Sequence, residues 1–210
     1  MPVHELDHPL FSDRLTILRD HRTTARDFRA AVDEISGFLA YELARILPTR
    51  SVWVESPLAR AECTVVDREH VVLAPILRAG IGLVPGVQRV FPAAPVLHLG
   101  IYRDEASLEP VFYYRRISTD LASRTVVLLD PMLATGGTLC AAAELLQAED
   151  PKRMAALCLL SSRQGVETLS ERFPELDIFT AAVDPDLNER GFIVPGLGDA
   201  GDRMFATDKL

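Results

Sequence analysis

The chain has 210 residues, of which 48% are hydrophobic and 25% charged, and its formal net charge is −8 at pH 7. This length fits one generous domain or two cramped ones, and we predict a single domain over residues 1–210. Enough apolar residues are present to bury a core, which excludes wholesale disorder. The negative charge repels a phosphate backbone and argues against a general nucleic-acid binder, although a local basic pocket could still hold a small anion.

Cysteine usage and the amino-terminal sequence predict a cytoplasmic protein. Cys63, Cys140 and Cys158 are odd in number and far apart, and no Cys-x-x-Cys pair or zinc-ligand spacing occurs. The first residues are polar and acidic, unlike a signal peptide. No apolar run approaches the roughly 20 residues of a membrane helix. We therefore expect no membrane partner.

The first predicted element is an amphipathic helix from about Thr24 to Leu47. Thr23 or Thr24 is suited to cap its start, and Pro48 marks its end. Apolar residues recur at steps of three and four along it, namely Phe28, Val32, Ile35, Leu39, Leu43 and Ile46. This spacing places them on one face, which we expect to pack on a core or on a partner subunit.

The rest of the chain alternates between predicted strands and predicted helices. Residues 51–55 alternate like a half-exposed strand, and nearly continuous apolar runs occupy 71–76, 96–101, 125–130, 154–160 and 176–183. Helix-compatible stretches occupy 82–90, 137–148 and 164–173. This order favours an α/β fold with a parallel sheet covered on both faces. Ligands of such sheets bind beyond the carboxyl ends of the strands, here after Ile76, Ile101, Asp130 and Val183.

The segment after one of these strands is typical of a phosphate-binding loop. The strand ending at Asp130 leads through a segment of small residues into a predicted helix that starts near Gly137. Gly136 and Gly137 allow close backbone approach, and free amides at a helix start attract anions. The Asp130 carboxylate is suited to accept a hydrogen bond from a sugar hydroxyl or from a metal-bound water. An ordinary strand-to-helix turn capped by Thr138 is the alternative, and no Walker-type motif is present.

The segment Asp130-Pro-Met-Leu-Ala-Thr-Gly-Gly-Thr138 resembles the phosphoribosyl-pyrophosphate loop of type I phosphoribosyltransferases, in particular the uracil phosphoribosyltransferase family. Further segments resemble that family in its order and extend the likeness to the whole chain: 8–10, 41–42, 75–80, 102–103, 108–110 and 192–202. The resemblance implies an open, mainly parallel sheet flanked by helices. It also implies an N-terminal helical segment at 1–50, a β-hairpin arm at 102–116 and a small base-binding C-terminal hood at 184–210.

The resemblance further implies transfer of the 5-phosphoribosyl group from 5-phospho-α-D-ribose 1-diphosphate (PRPP) to N1 of uracil, giving UMP and diphosphate. It assigns catalysis to Asp199, Arg103 and Asp130, and uracil binding to Ile193, Gly198, Asp199 and Ala200. It assigns PRPP binding to Arg78, Arg103, Asp130, Pro131, Met132, Leu133, Ala134, Thr135, Gly136, Gly137, Thr138 and Asp199.

Two positions depart from the family pattern. Many relatives carry two adjacent acids where this chain has Leu129-Asp130, so we expect Mg²⁺ to be held mainly by the substrate and its waters. Many relatives carry tyrosine where this chain has Phe192, which removes any contact made by a phenol hydroxyl.

The C-terminal segment contains a second glycine motif. Residues from Gly196 to Gly201 match the dinucleotide fingerprint Gly-x-Gly-x-x-Gly, but only nine residues follow, too few for the required second strand and acid. We interpret the segment as a turn whose peptide groups pair with the edge of a uracil ring, the alternative being an ordered terminal turn. Such a site would reject cytosine, because its buried polar groups would be left unpaired.

Other functions stay open at this point. A phosphoribosyltransferase fold can serve an RNA-binding regulator of pyrimidine genes, although the net charge and the lack of a basic stripe oppose this reading. A transferase for another nucleobase and a non-catalytic nucleotide sensor are further alternatives. By resemblance, the N-terminal helix contributes to a homodimer or homotetramer, and GTP is a possible activator.

Overall fold

The computed structural model of the protein describes residues 3–103, 110–117 and 120–207. Six α-helices occur within these ranges: α1 Pro9–Arg19, α2 Ala25–Leu43, α3 Val84–Val90, α4 Gly137–Gln147, α5 Arg163–Arg172 and α6 Ala200–Phe205. The strands of the same ranges are β1 Val3–Glu5, β2 Thr49–Glu55, β3 Arg60–Val66, β4 Val71–Leu77, β5 Leu99–Arg103, β6 Pro110–Arg115, β7 Thr125–Leu129, β8 Met132–Leu133, β9 Arg153–Cys158, β10 Leu160–Ser162, β11 Asp177–Thr180, β12 Val183–Asp184, β13 Asp186–Leu187 and β14 Ile193–Val194.

A seven-stranded sheet in the order β1-β11-β9-β7-β4-β5-β6 forms the centre of the fold. In this order, each neighbouring pair from β1-β11 through β4-β5 is parallel, for example with Val127 opposite Ala155 in the β7-β9 pair. The last pair, β5-β6, is antiparallel. The predicted α/β fold with a mainly parallel sheet is therefore confirmed. Such a sheet brings the carboxyl ends of neighbouring strands to one edge.

Helices bury both faces of this sheet, which explains the nearly continuous apolar strands. Val127 and Leu129 belong to a core formed with α1, α2 and α3, whereas Val126 and Leu128 belong to a second core formed with α4 and α5. All four side chains have no exposed surface. Alternate residues of one strand thus anchor opposite helical layers and fix the position of the strand's carboxyl end.

The predicted amphipathic helix is confirmed as α2, which ends earlier in the chain than expected. Thr24 caps it, because its Oγ1 accepts a hydrogen bond from the Asp27 N–H at 3.2 Å. The α-helix ends at Leu43 and continues as a 3-10 turn over Ala44–Ile46. Its apolar face is fully buried in the chain's own core, as the absence of exposed surface at Phe28, Val32, Ile35, Leu39 and Leu43 shows.

Three predicted strands differ in the structure. The strand predicted at 51–55 belongs to a separate β2–β3 hairpin, and the runs at 154–160 and 176–183 each break into two strands. The break after β9 comes from a contact with a residue distant in the chain, because the N–H groups of Leu159 and Leu160 both donate to the carbonyl of Pro131, at 3.0 and 3.1 Å. The second halves, β10 and β12, join β8 in a small sheet beside Asp130.

Candidate active site

The predicted phosphate loop connects β7 to α4. Gly136 caps the helix with a left-handed backbone (φ +85°), a conformation that glycine adopts at little cost, and α4 begins at Gly137. The first-turn amides of α4 therefore have no carbonyl of their own helix to bind. The loop surrounds a cavity of about 80 Å³ lined by Asp130, Met132, Leu133, Ala134, Thr135, Gly136, Thr138 and Leu139. This arrangement can bind a small anion.

Helix α5 supports the phosphate loop from outside. The Ser162 hydroxyl donates to the carbonyl of Ala134 at 2.5 Å and accepts from the N–H of Gly165 at 2.8 Å. A Cβ at Gly165 would lie 2.3 Å from that same carbonyl oxygen, so only glycine permits this approach. Our sequence analysis did not identify Ser162 or Gly165, although a serine just before a predicted helix is a recognisable cap.

Asp130 follows β7 and is half-buried at the floor of the loop. Burial raises the pKa of Asp130 to about 7, although a hydrogen bond from the Met132 N–H to Oδ1, at 3.2 Å, opposes the shift. Behind it, burial and the charge of Asp130 raise the pKa of the Cys158 thiol well above its usual value, which keeps that neighbour neutral. A ligand with hydroxyl donors would stabilise the ionised form of Asp130.

The loop after β4 carries Arg78 and lies against the end of β7, just before the phosphate loop. A Cβ at Gly80 would be 2.1 Å from the carbonyl oxygen of Leu129, the last residue of β7, so the backbone of this loop touches the backbone of that strand end. The peptide bond between Leu77 and Arg78 is cis. The Arg78 side chain is 66% exposed, with Nη2 3.7 Å from Oδ1 of Asp202. It is therefore accessible to a solvent-borne anion.

The C-terminal segment forms a turn followed by a helix, whereas our sequence analysis expected a turn alone. Asp199 caps α6, because its Oδ1 accepts from the Asp202 N–H at 2.9 Å. Ile193 and Ala200 are buried, while Gly198 and Asp199 are exposed. Gly198 and Asp199 are therefore accessible from solvent, although Asp199 also accepts hydrogen bonds within α6.

Helix α6 joins this segment to the Arg78 loop. A Cβ at Gly201 would lie 3.5 Å from Cβ of Ala79, and one at Gly82 would lie 2.3 Å from Sδ of Met204. The structure thus brings together the loops that carry Arg78, Asp130 and Asp199, three residues that lie far apart in the chain. Assignment of particular ligand contacts to these residues stays a prediction.

The predicted arm corresponds to the antiparallel pair β5–β6. Gly100 pairs with Tyr114, Tyr102 with Val111 and Arg103 with Pro110. The connecting residues 104–109 and the side chain of Arg103 lie outside the described part of the chain, as do residues 208–210 of the hood. Strand β5 neighbours β4, so the backbone of Arg103 lies one strand away from the Arg78 loop.

A cleft of about 760 Å³ lies at the opposite edge of the sheet. Its walls are the segments that precede β9 and β11, and it contains both basic and acidic side chains, such as Arg172 and Asp177. It contains no residue that the sequence predicted as functional. Ligands of parallel sheets bind at the carboxyl edge, so we place the candidate active site at the smaller phosphate loop.

Within the described ranges, no group of three or more His, Cys, Asp or Glu side chains could hold a metal ion. None of the helices described is both long and apolar enough to cross a membrane. Cys63, Cys140 and Cys158 are free thiols.

Comparison with solved structures defines the class of protein. A protein of Aquifex aeolicus, 35% identical, superposes with a TM-score of 0.93 over 100% of both chains. Adenine phosphoribosyl transferase from Trypanosoma brucei, 14% identical, superposes with a TM-score of 0.58 over 86% of this chain and 82% of that one. The fold is that of the type I phosphoribosyltransferases.

Sequence comparison identifies the family within this class. The family model for uracil phosphoribosyltransferase matches residues 5–207. A protein of Symbiobacterium thermophilum named uracil phosphoribosyltransferase is 48% identical over 202 residues, covering 96% of this chain and 97% of that protein. The chain belongs to the uracil phosphoribosyltransferase family, as its motifs indicated.

Proposed function

We propose that the chain transfers the 5-phosphoribosyl group of PRPP to N1 of uracil, producing UMP and diphosphate, as a step of pyrimidine salvage. The observation that supports this most directly is the contact of Gly80, in the loop that carries Arg78, with Leu129, the residue directly before the candidate anion-binding loop from Asp130 to Thr138. Together with family membership, it favours a ligand that carries phosphate groups at both ends of a sugar.

The phosphate loop holds the 5′-phosphate in this proposal. Amides at the start of α4 and the hydroxyls of Thr135 and Thr138 donate to the phosphate oxygens, and Gly136 and Gly137 let the backbone approach closely. Asp130 accepts hydrogen bonds from the ribose hydroxyls, which compensate its burial. Pro131, Met132, Leu133 and Ala134 shape the loop, supported by the hydrogen bond from Ser162.

The leaving diphosphate is held by Arg78 and Arg103. The bond between C1 and the diphosphate oxygen breaks, its electron pair leaves with diphosphate, and positive charge develops on the ribose. Catalysis then consists of holding the reactants in line and stabilising the departing charge. The loops supply one carboxylate, Asp130, which suits a Mg²⁺ ion held by substrate oxygens and waters rather than by a protein cage. When bound, Mg²⁺ offsets part of the diphosphate charge.

Uracil binds against the C-terminal segment. Ile193 packs on the ring, and the backbone of Gly198, Asp199 and Ala200 pairs with its polar edge. The N1 electron pair forms the new bond to C1, and the N1 proton passes to the Asp199 carboxylate. Asp199 is exposed and caps α6, so it is accessible to an incoming base while its position is fixed by the helix.

We also propose that the chain forms a homodimer or homotetramer in the cytoplasm and responds to GTP. The apolar face of α2 is buried in the chain's own core, so self-association must use other residues. Tyr41 and Leu10, 64% and 47% exposed, are apolar candidates on α2 and α1. Free thiols suit a reducing compartment. Sedimentation analysis of wild type and Tyr41→Asp tests the assembly, and a monomeric wild type would contradict it.

The decisive experiment measures UMP formation from uracil and PRPP, with and without Mg²⁺ and with and without GTP. Cytosine and orotate replace uracil as controls. We expect UMP only from uracil, dependence on Mg²⁺, and a higher rate with GTP. A folded, magnesium-supplied sample that makes no nucleotide would overturn the proposal, and a GTP-independent rate would remove GTP from it. RNA gel shifts at physiological salt test the regulator alternative, for which we expect no shift.

A further inference from the structure

Arg19, at the end of α1, reaches across to the C-terminal segment. Its two terminal nitrogens bind both carboxylate oxygens of Asp184 at 2.7 Å, and Nη1 also donates to the carbonyl of Gly196 at 2.8 Å. The Asp184 carboxylate in turn accepts from the N–H of Gly196 at 2.9 Å. Both polar groups of the Gly196 residue are therefore held by one ion pair.

This ion pair is largely removed from water, since the Asp184 side chain is 8% exposed and that of Arg19 is 26% exposed. Burial opposes the charge of Asp184, but the hydrogen bonds from Arg19 and Gly196 outweigh it and hold the pKa of Asp184 below its usual range. The pair is thus ionised at neutral pH. A bidentate guanidinium–carboxylate contact fixes the relative orientation of the two side chains as well as the distance between them.

A second arginine makes the reciprocal contact. Arg203, in α6, donates to the carbonyl of Leu197 at 2.7 Å and to that of Asp20 at 2.6 Å, and it also binds the carbonyl of Leu18. Those two carbonyls lie at the C-terminal end of α1, where the helix leaves carbonyls without intrahelical partners and favours a cation. The end of α1 therefore contacts the turn at two successive residues.

These contacts divide the turn into a half anchored to α1 and an exposed half. Gly196 has φ +63°, and a Cβ there would lie 2.0 Å from the carbonyl oxygen of Ile193, so this tight bend exists only with glycine. The carbonyls of Gly196 and Leu197 accept hydrogen bonds from Arg19 and Arg203, the Gly196 N–H donates to Asp184, and the Leu197 side chain is buried. Gly198 and Asp199, directly after them, remain exposed.

We infer that Arg19 and Asp184 are positioning residues for the pyrimidine, acting through the Gly196 turn to aim the Gly198–Ala200 backbone at the edge of the base. This inference rests on the proposed function, because it assumes that this backbone binds uracil. The side chains of the ion pair bind the Gly196 turn, whereas the phosphate loop is bonded to the hydroxyl of Ser162, which meets Asp184 only in the backbone pairing of β10 with β12. We therefore expect the ion pair to act on binding of the base and not on binding of PRPP.

The test compares Arg19→Lys with a matched Arg14→Lys variant. Lysine keeps the charge but loses the fork that binds both oxygens. Arg14 lies in the same helix and pairs with Glu34 at the surface, away from the turn. Asp184→Asn, nearly the same shape as the native side chain, serves as the independent second variant. For each protein we measure kcat, both KM values, the melting temperature, and equilibrium binding of UMP and of ribose 5-phosphate.

For Arg19→Lys and Asp184→Asn we expect the KM for uracil and the Kd for UMP to rise at least tenfold. The KM for PRPP and the Kd for ribose 5-phosphate should stay within twofold. The control variant Arg14→Lys should change none of these KM and Kd values. Equal losses for both substrates, or a lowered melting temperature with unchanged uracil KM, would overturn the inference. If one variant does not fold, the other decides. Failure of the proposed function appears separately, as a wild type that makes no UMP.

Discussion

Replacement of Asp130 by asparagine should make the unliganded protein more stable while weakening its activity. The carboxyl group is half-buried, and the described hydrogen bond that opposes its raised pKa comes from a single backbone N–H. Asparagine keeps an oxygen that can accept this hydrogen bond but carries no charge. The variant therefore removes a desolvated carboxylate and leaves the shape of the loop floor nearly unchanged.

The stability gained by Asp130→Asn follows from the difference between the pKa of Asp130 in the folded protein and in the unfolded chain. The pKa rises from 3.8 to about 7 on folding, so the folded protein binds more protons than the unfolded chain between these values, and stability falls as pH rises through this window. Three pKa units correspond to about 4 kcal/mol at pH 8, an upper bound because the group keeps some contact with water. At pH 5 less than half of this cost is present, because the folded carboxyl is still protonated there.

Thermal unfolding of wild type and Asp130→Asn at pH 5 and pH 8, without ligand, checks this reasoning. The melting temperature of the variant should exceed that of wild type, and the gap should widen by roughly 5–10 °C from pH 5 to pH 8. Loss of the charged acceptor for the ribose hydroxyls should lower kcat/KM for PRPP by about 10- to 100-fold. A less stable variant at pH 8, or a gap independent of pH, would refute the assigned cost of burying the carboxylate.

Three further substitutions test single contacts of the site. Gly165→Ala places a methyl group 2.3 Å from the Ala134 carbonyl oxygen, so we expect a loss of about 1–3 kcal/mol in unfolding free energy and a higher KM for PRPP. Gly37→Ala, whose added methyl lies 3.4 Å from its nearest neighbour, is the matched control; it should leave the KM for PRPP unchanged and cost no stability, because alanine favours a helix more than glycine does. Asp199→Asn keeps the helix cap, so the melting temperature should hold while kcat falls far more than KM rises; an unchanged kcat would remove Asp199 from the chemistry. Arg78→Ala truncates an exposed side chain, so stability should change by less than about 0.5 kcal/mol. Its kcat/KM for PRPP should fall by about 100-fold, and wild-type kinetics would exclude Arg78 from the diphosphate site.

Local sequence patterns were sufficient to predict the phosphate loop and helix α2. In both, the residues that determine the structure are neighbours in the chain: strand, small-residue turn and helix for the loop, and a three–four apolar repeat for the helix. The rule that parallel strands share a carboxyl edge then predicted that Arg78 and Asp130 lie near each other. Helix α1 also had a usable signal that our sequence analysis did not use, since Phe11, Leu15 and Leu18 are spaced by four and three residues after Pro9.

Other features had no local signal. The strand predicted at 154–160 broke because Pro131, more than twenty residues earlier, accepts hydrogen bonds at the break point. The support of the Ala134 carbonyl by Ser162 likewise depends on two segments that only the folded sheet brings together.

By itself, the amino-acid sequence determined which residue types were available and which short segments would form strands, helices and the glycine turn before α4, because hydrophobic periodicity and backbone freedom act between near neighbours. The tertiary structure decided which groups are shielded from water and which distant residues meet. It alone raised the pKa of Asp130 and joined Arg19 to Asp184 and Gly196. Desolvation and hydrogen-bond geometry depend on the surroundings in space, and a residue's position in the chain does not specify those surroundings.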